Sequence, residues 1–127
     1  MIRKELLIFH IVSREAWPAA LQRGEYRAPS LDREGFIHCS TMKQVIPIAN
    51  AFYRGQNDLM LMVIDETRIV PEVRWEAPAG PPADGVSVSD LFPHVYGALN
   101  LDAVLQVVDF TADEAGTFSL PPIPTEN

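Results

Sequence analysis

The sequence predicts an α+β domain in which two early helices pack alongside a mainly antiparallel β-sheet. The first part of the chain runs twice from an apolar strand pattern into a helical one, and the second half carries four apolar strand patterns separated by turn residues. No glycine-rich phosphate loop of the GxGxxG or GxxxxGK[ST] kind opens a helix, so a Rossmann or P-loop fold has no support.

Residues 6–12, LLIFHIV, read as a buried strand, and Ser13 offers a side-chain oxygen to cap a helix that runs to Arg23 and stops at Gly24. Pro18 lacks a backbone N–H and fits only the first turn, which puts the helix start near Ala16. Residues 26–34 read as a loop. GFIHCS, residues 35–40, forms the second strand, and Thr41 with Gln44 predicts a capping box for a helix over residues 42–54, closed by Gly55. Pro47 predicts a late start or a kink there.

Beyond residue 57 strands take over: DLMLMVID, EVRWEA, HVYG and DAVLQVVDF. Residues 77–90, APAGPPADGVSVSD, carry the proline and glycine density of a surface loop, either a connection or a lid. Residues 1–112 make a single domain, and residues 113–127 an extended or disordered tail.

The chain has 127 residues, enough for one domain with a sizeable core. Seventeen acidic against ten basic residues give a formal charge of −7, a field that repels polyanions and argues against a broad nucleic-acid surface. One cysteine cannot form an internal disulfide, and the first apolar run is short and interrupted by His10. It reads as neither a signal peptide nor a membrane span, so a cytoplasmic protein without membrane contact is expected.

Alternation along each strand tells which side chains share a face. His10 sides with Ile8 and Val12; His38 with Phe36 and Ser40, against Ile37 and Cys39; Arg74 with Glu76, against Trp75; His94 with Phe92 and Tyr96, against Val95. If the strands are neighbours, His10, His38, Ser40, Arg74, Glu76, His94 and Tyr96 converge on one cleft, the basis for expecting a small-molecule site. A hydrogen-bonded structural role is the commoner one for any single strand histidine. Three in similar settings shift the weight toward a site.

Ser40 and Thr41 are explained by capping, yet a helix N-terminus beside His38 also suits a phosphate or carboxylate. A Ser40 nucleophile is poorly served, because a residue two positions along a strand lies about 6 to 7 Å from its neighbour. Cys39, expected behind Ile37, reads as an inert core thiol, Glu76 as a rim carboxylate beside Arg74 or a ligand group, and Trp75 as a core anchor. The three histidines are 28 and 56 residues apart, which matches no local metal motif, and no metal is expected. LFPHVYGALNLDAV is dense in special residues and reads as a site-forming turn.

The ordered set IFHIVSREAW, GEYRAPSLDREGFIHCST, ANAFYRG, LMLMVID, VRWE and LFPHVYGALNLDAV resembles the bacterial family called domain of unknown function 952, over about residues 6–110. That family is considered related to the ADP-ribosyltransferase superfamily, which includes the RNA 2'-phosphotransferases. The resemblance implies a bent, split β-sheet with the helices alongside and NAD as substrate. It implies His10 as the strand histidine that holds a ribose, His38 as the second polar position and Glu76 as the later carboxylate. Three activities follow as expectations: NAD-dependent ADP-ribosyl transfer, phosphotransfer or phosphoester cleavage on a 2'-phosphorylated or cyclic nucleotide, and non-catalytic binding of a small ligand.

Overall fold

The computed structural model describes residues 3–78, 84–87 and 90–123. It is α+β, with every strand pair antiparallel. The strands are β1 (Leu7–Ser13), β2 (Glu25–Tyr26), β3 (Ile37–His38), β4 (Leu59–Asp65), β5 (Glu72–Glu76), β6 (Phe92–Tyr96), β7 (Leu99–Asn100) and β8 (Val104–Asp109). They form a first sheet ordered β1-β4-β8, a small pair β2-β7 and a third sheet ordered β3-β6-β5.

Among the described residues one isolated bridge joins the first and third sheets, where the backbones of Phe9 and Ser40 exchange hydrogen bonds of 2.7 and 2.8 Å. β3 is therefore much shorter than GFIHCS suggests. After His38 the chain leaves β6, with Cys39 N–H still donating to Pro93 O at 3.1 Å, and Ser40 turns to face β1.

Each face of the first sheet covers a different core, as its alternation dictates. Ile8, Val12, Met62 and Ile64 point toward the back of the third sheet, where Ile37, Cys39 and Val95 meet them, with Tyr26, Leu99 and Ala20 closing the sides. Leu7, Phe9, Leu61 and Val63 point the other way, onto Val45, Ala49, Phe110 and Phe118. Burying each Val, Leu, Ile, Phe or Met side chain among these contributes roughly 1.5 to 3 kcal/mol.

The helices are α1 (Ala16–Arg23), α2 (Pro29–Glu34) and α3 (Val45–Phe52). α1 starts where Pro18 demands and ends at Gly24, whose φ of +89° lets its N–H reach Ala20 O at 2.8 Å. Ser13 closes β1 and does not cap α1. Pro47 falls in the first turn of α3, whose Val45 and Ala49 lie on one buried stripe. The expected capping box is half formed: Gln44 Oε1 accepts from Thr41 N–H at 2.9 Å, while its amide nitrogen donates to Leu91 O at 2.8 Å.

Residues 26–34 are not a loop. β2 pairs with β7, and α2 begins with proline at its first position and ends at Gly35 with φ +91°. Ser30 Oγ donates to Phe36 O at 2.8 Å, tying the helix to the entry of β3. Beyond β8 the chain runs without helix or strand through residue 123, anchored where Asn50 bonds both backbone groups of Phe118 and Phe118 stacks on Phe110 at 4.8 Å. Half of the loop over residues 77–90 lies outside the described residues, and the expected lid with it. Among the described residues no helix is long and apolar enough to cross a membrane.

Candidate functional site

The third sheet has an apolar back and a polar front. Its register sets His38 opposite His94 and His94 opposite Arg74, so these three side chains form one cross-strand row on the face turned away from the core. Glu76 and Tyr96, two positions along their strands, share that face, and so does Phe36 just before β3.

Glu76 is the hub. Its Oε1 accepts from Tyr96 OH at 2.6 Å and from His94 Nδ1 at 2.8 Å. These bonds, Tyr96 first and His94 second, hold the Glu76 carboxyl below the usual carboxylate range, and the same contact raises the Tyr96 phenol. An ionised Oε1 only accepts, so His94 Nδ1 carries a proton, and its Nε2 has no hydrogen-bond partner among the described residues. The His94 ring is nearly sealed, 3% exposed, under the Phe36 ring stacked 4.1 Å away at 23°.

His38 is placed differently. Its side chain is 43% exposed, its Nε2 lies 3.0 Å from Glu34 Oε2 at the end of α2, and its ring stands edge-on to that of His94 with centroids 5.6 Å apart. Arg74 lies over the Tyr96 ring at 4.3 Å and pairs with Glu72 at 3.1 Å, leaving Glu76 to His94 and Tyr96. Trp75 is no core anchor: it is partly exposed on the edge strand, and its indole N–H donates to Glu66 at 2.8 Å.

The structure therefore brings together His38, Arg74, Glu76, His94 and Tyr96, and keeps His10, Ser40 and Thr41 apart from them. His10 points inward with Ile8 and Val12, into the core behind the third sheet. Its Nδ1 lies 2.6 Å from His38 O and its Nε2 2.8 Å from Tyr26 OH. Burial lowers the imidazole to about 4, so the ring is neutral: Nδ1–H donates to the carbonyl and Nε2 accepts from the phenol. Both nitrogens are engaged by the protein, which leaves neither for a ribose hydroxyl. The physical cause is the split in the sheet: among the described residues β1 has no ladder with β3 and meets that segment at the Phe9–Ser40 bridge just beyond it, and the imidazole satisfies the His38 carbonyl.

Ser40 serves that bridge with its backbone, and Thr41 serves the start of α3. Cys39 is buried in the core, its thiol pushed up by burial to about 12. Asn100, in the segment expected to form a site, instead holds the preceding loop, donating to Arg68 O and accepting from Val70 N–H at 2.9 and 2.8 Å. Phe36 and Glu34 belong to the polar face without having been singled out. Their signals were alternation with His38 for the first and a separation of four residues from it for the second. Among the described residues no group of three or more His, Cys, Asp or Glu is placed to hold a metal ion.

These features define an α+β protein with paired carboxylate–imidazole contacts on the outer face of a short antiparallel sheet. The chain belongs to the family described as protein of unknown function (DUF952), whose model matches residues 11–107. It is similar to protein CC0527 from Caulobacter crescentus at 30% identity. The crystal structure of that protein gives a TM-score of 0.76, covering 89% of this chain and 93% of that one. Its solution NMR structure gives 0.69, covering 87% and 90%. No functionally curated protein matches the chain.

Proposed function

We propose that the outer face of the third sheet binds a nucleotide of the NAD class, and that the protein is an ADP-ribosyltransferase-like enzyme. Glu76 stabilises the positive charge that develops on the ribose as its bond to nicotinamide breaks. The way Glu76 is held carries this reading: Oε1 is fixed by Tyr96 and His94, while Oε2 has no hydrogen-bond partner among the described residues and the side chain is 37% exposed. A carboxylate fixed and ionised in advance acts on a cationic transition state without reorganising. The likeness of the chain's motifs to a family related to ADP-ribosyltransferases supports the same choice, as does the split of the sheet at the Phe9–Ser40 bridge.

One observation favours a second reading. His38, His94 and Arg74 stand in a single row, an arrangement that could hold phosphate oxygens of a 2'-phosphorylated or cyclic nucleotide. The balance of charge speaks against it, since Glu72 and Glu76 flank Arg74 and Glu34 pairs with His38, which favours a cationic centre over a bare phosphate. The single buried Cys39 supports a reducing, cytoplasmic setting.

Release of nicotinamide from NAD by the purified protein tests the proposal. The wild type is expected to release it, and Glu76→Gln to slow release by about 10²- to 10³-fold while ADP-ribose still raises its melting temperature. Absence of both release and stabilisation overturns the reading. Phosphate freed from a 2'-phosphorylated nucleotide without NAD selects the second one, and stabilisation without turnover selects a binding module.

A further inference from the structure

The polar face carries two carboxylate–imidazole pairs in different states of exposure, and they cannot do the same work. His94 is sealed beneath Phe36 and spends its Nδ1 proton on holding Glu76. His38 is half-exposed, beside it on the same face, and engaged on the opposite nitrogen: Glu34 Oε2 lies 3.0 Å from Nε2. A carboxylate oxygen accepts, so in the neutral ring the proton of this contact sits on Nε2 and the lone pair is on Nδ1. Nδ1 has no hydrogen-bond partner among the described residues. Glu34 owes its position to local structure: it ends α2, Gly35 turns the chain with φ +91°, and Ser30 Oγ clamps the turn through Phe36 O.

We propose that His38 is the general base for the acceptor in the transfer reaction, with Glu34 as the positioning residue that sets its tautomer, and that the acceptor is a neutral hydroxyl or water. This rests on the reading of Glu76 given above. In the step, His38 Nδ1 takes the proton of the acceptor O–H as its oxygen bonds the ribose C1. The C1–N bond breaks, and its electron pair returns to the ring nitrogen of the departing nicotinamide, which leaves neutral. Glu76 carries the transient positive charge and is not consumed. Such a division of labour needs one buried, fixed imidazole and one accessible, oriented imidazole side by side, which is the difference between His94 and His38.

The test is nicotinamide release from NAD as a function of pH in the wild type, Glu34→Gln, His38→Asn and Glu76→Gln, each first shown to keep the wild-type circular dichroism spectrum. Glu34→Gln is expected to lower kcat by about tenfold or more with KM within about twofold, the scale of losing a group that orients an imidazole. His38→Asn is expected to abolish the acid limb of the kcat profile, and added imidazole to restore part of its rate. If Glu76→Gln is inactive while Glu34→Gln and His38→Asn keep the wild-type kcat and pH profile, the inference fails and the reading of Glu76 stands. If the wild type releases no nicotinamide, both fail together.

Discussion

His94 and Glu76 meet diagonally across the β5–β6 ladder: His94 lies opposite Arg74, yet its Nδ1 reaches Glu76, two residues further along, at 2.8 Å. Tyr96 reaches the same oxygen at 2.6 Å, so two strands are cross-linked through one carboxylate atom. The arrangement fixes the carboxylate and ties its charge state to pH.

Tyr96→Phe removes the larger of the two influences that hold Glu76 below the carboxylate range. A carboxyl group with a depressed folded-state pKa adds stability above its unfolded pKa and loses it as pH falls through the folded value. The wild type is therefore expected to melt above Tyr96→Phe at neutral pH, with the gap closing as pH drops below the carboxylate range. A gap unchanged down to acid pH would show that the phenol acts by packing alone.

His10 gives the opposite kind of group a stability role. Its folded value of about 4 lies below the 6.5 of an exposed imidazole, so the unfolded chain binds the extra proton and stability falls as pH drops from 6.5 to 4. The shift corresponds to about 3 kcal/mol across that window. His10→Gln should flatten this part of the urea-unfolding profile measured between pH 4 and pH 7. It should also destabilise the protein at neutral pH by about 1 to 3 kcal/mol, because His38 O or Tyr26 OH loses its partner.

Cys39 should resist a thiol reagent in the native protein for as long as the fold persists, since its thiol is buried and its pKa lies near 12. Labelling with an aromatic disulfide in buffer and in urea checks this. Fast reaction in buffer would mean that the core between the two larger sheets opens readily.

Phe118 lies beyond the last strand yet is 1% exposed, stacked on Phe110 in the core against α3. Phe118→Ala is expected to cost about 3 to 5 kcal/mol by chemical denaturation. A loss under about 1 kcal/mol would mean that the segment after β8 is dispensable to the fold.

The parts of the fold legible in the sequence were those with long apolar runs: β1, β4 and β8, and the start of α1 as Pro18 requires. α2 was hidden because PSLDRE has no apolar stripe, although Pro29 at its head and Gly35 at its end were both visible. β2 and β7 are two residues each, too short for any periodicity. Alternation correctly grouped His38 with Phe36, Arg74 with Glu76 and His94 with Tyr96, but the pairing register that joins them depends on contacts distant in sequence. It also put His10 with Ile8 and Val12, and those apolar companions were the sign that this histidine faces the interior.

The measurement that bears most directly on the account is a 1H–15N NMR titration of the labelled protein with ADP-ribose. Saturable shifts are expected to concentrate at Phe36, His38, Arg74, Glu76, His94 and Tyr96, and to persist in Glu76→Gln. Shifts centred elsewhere, or none at millimolar ligand, would contradict it.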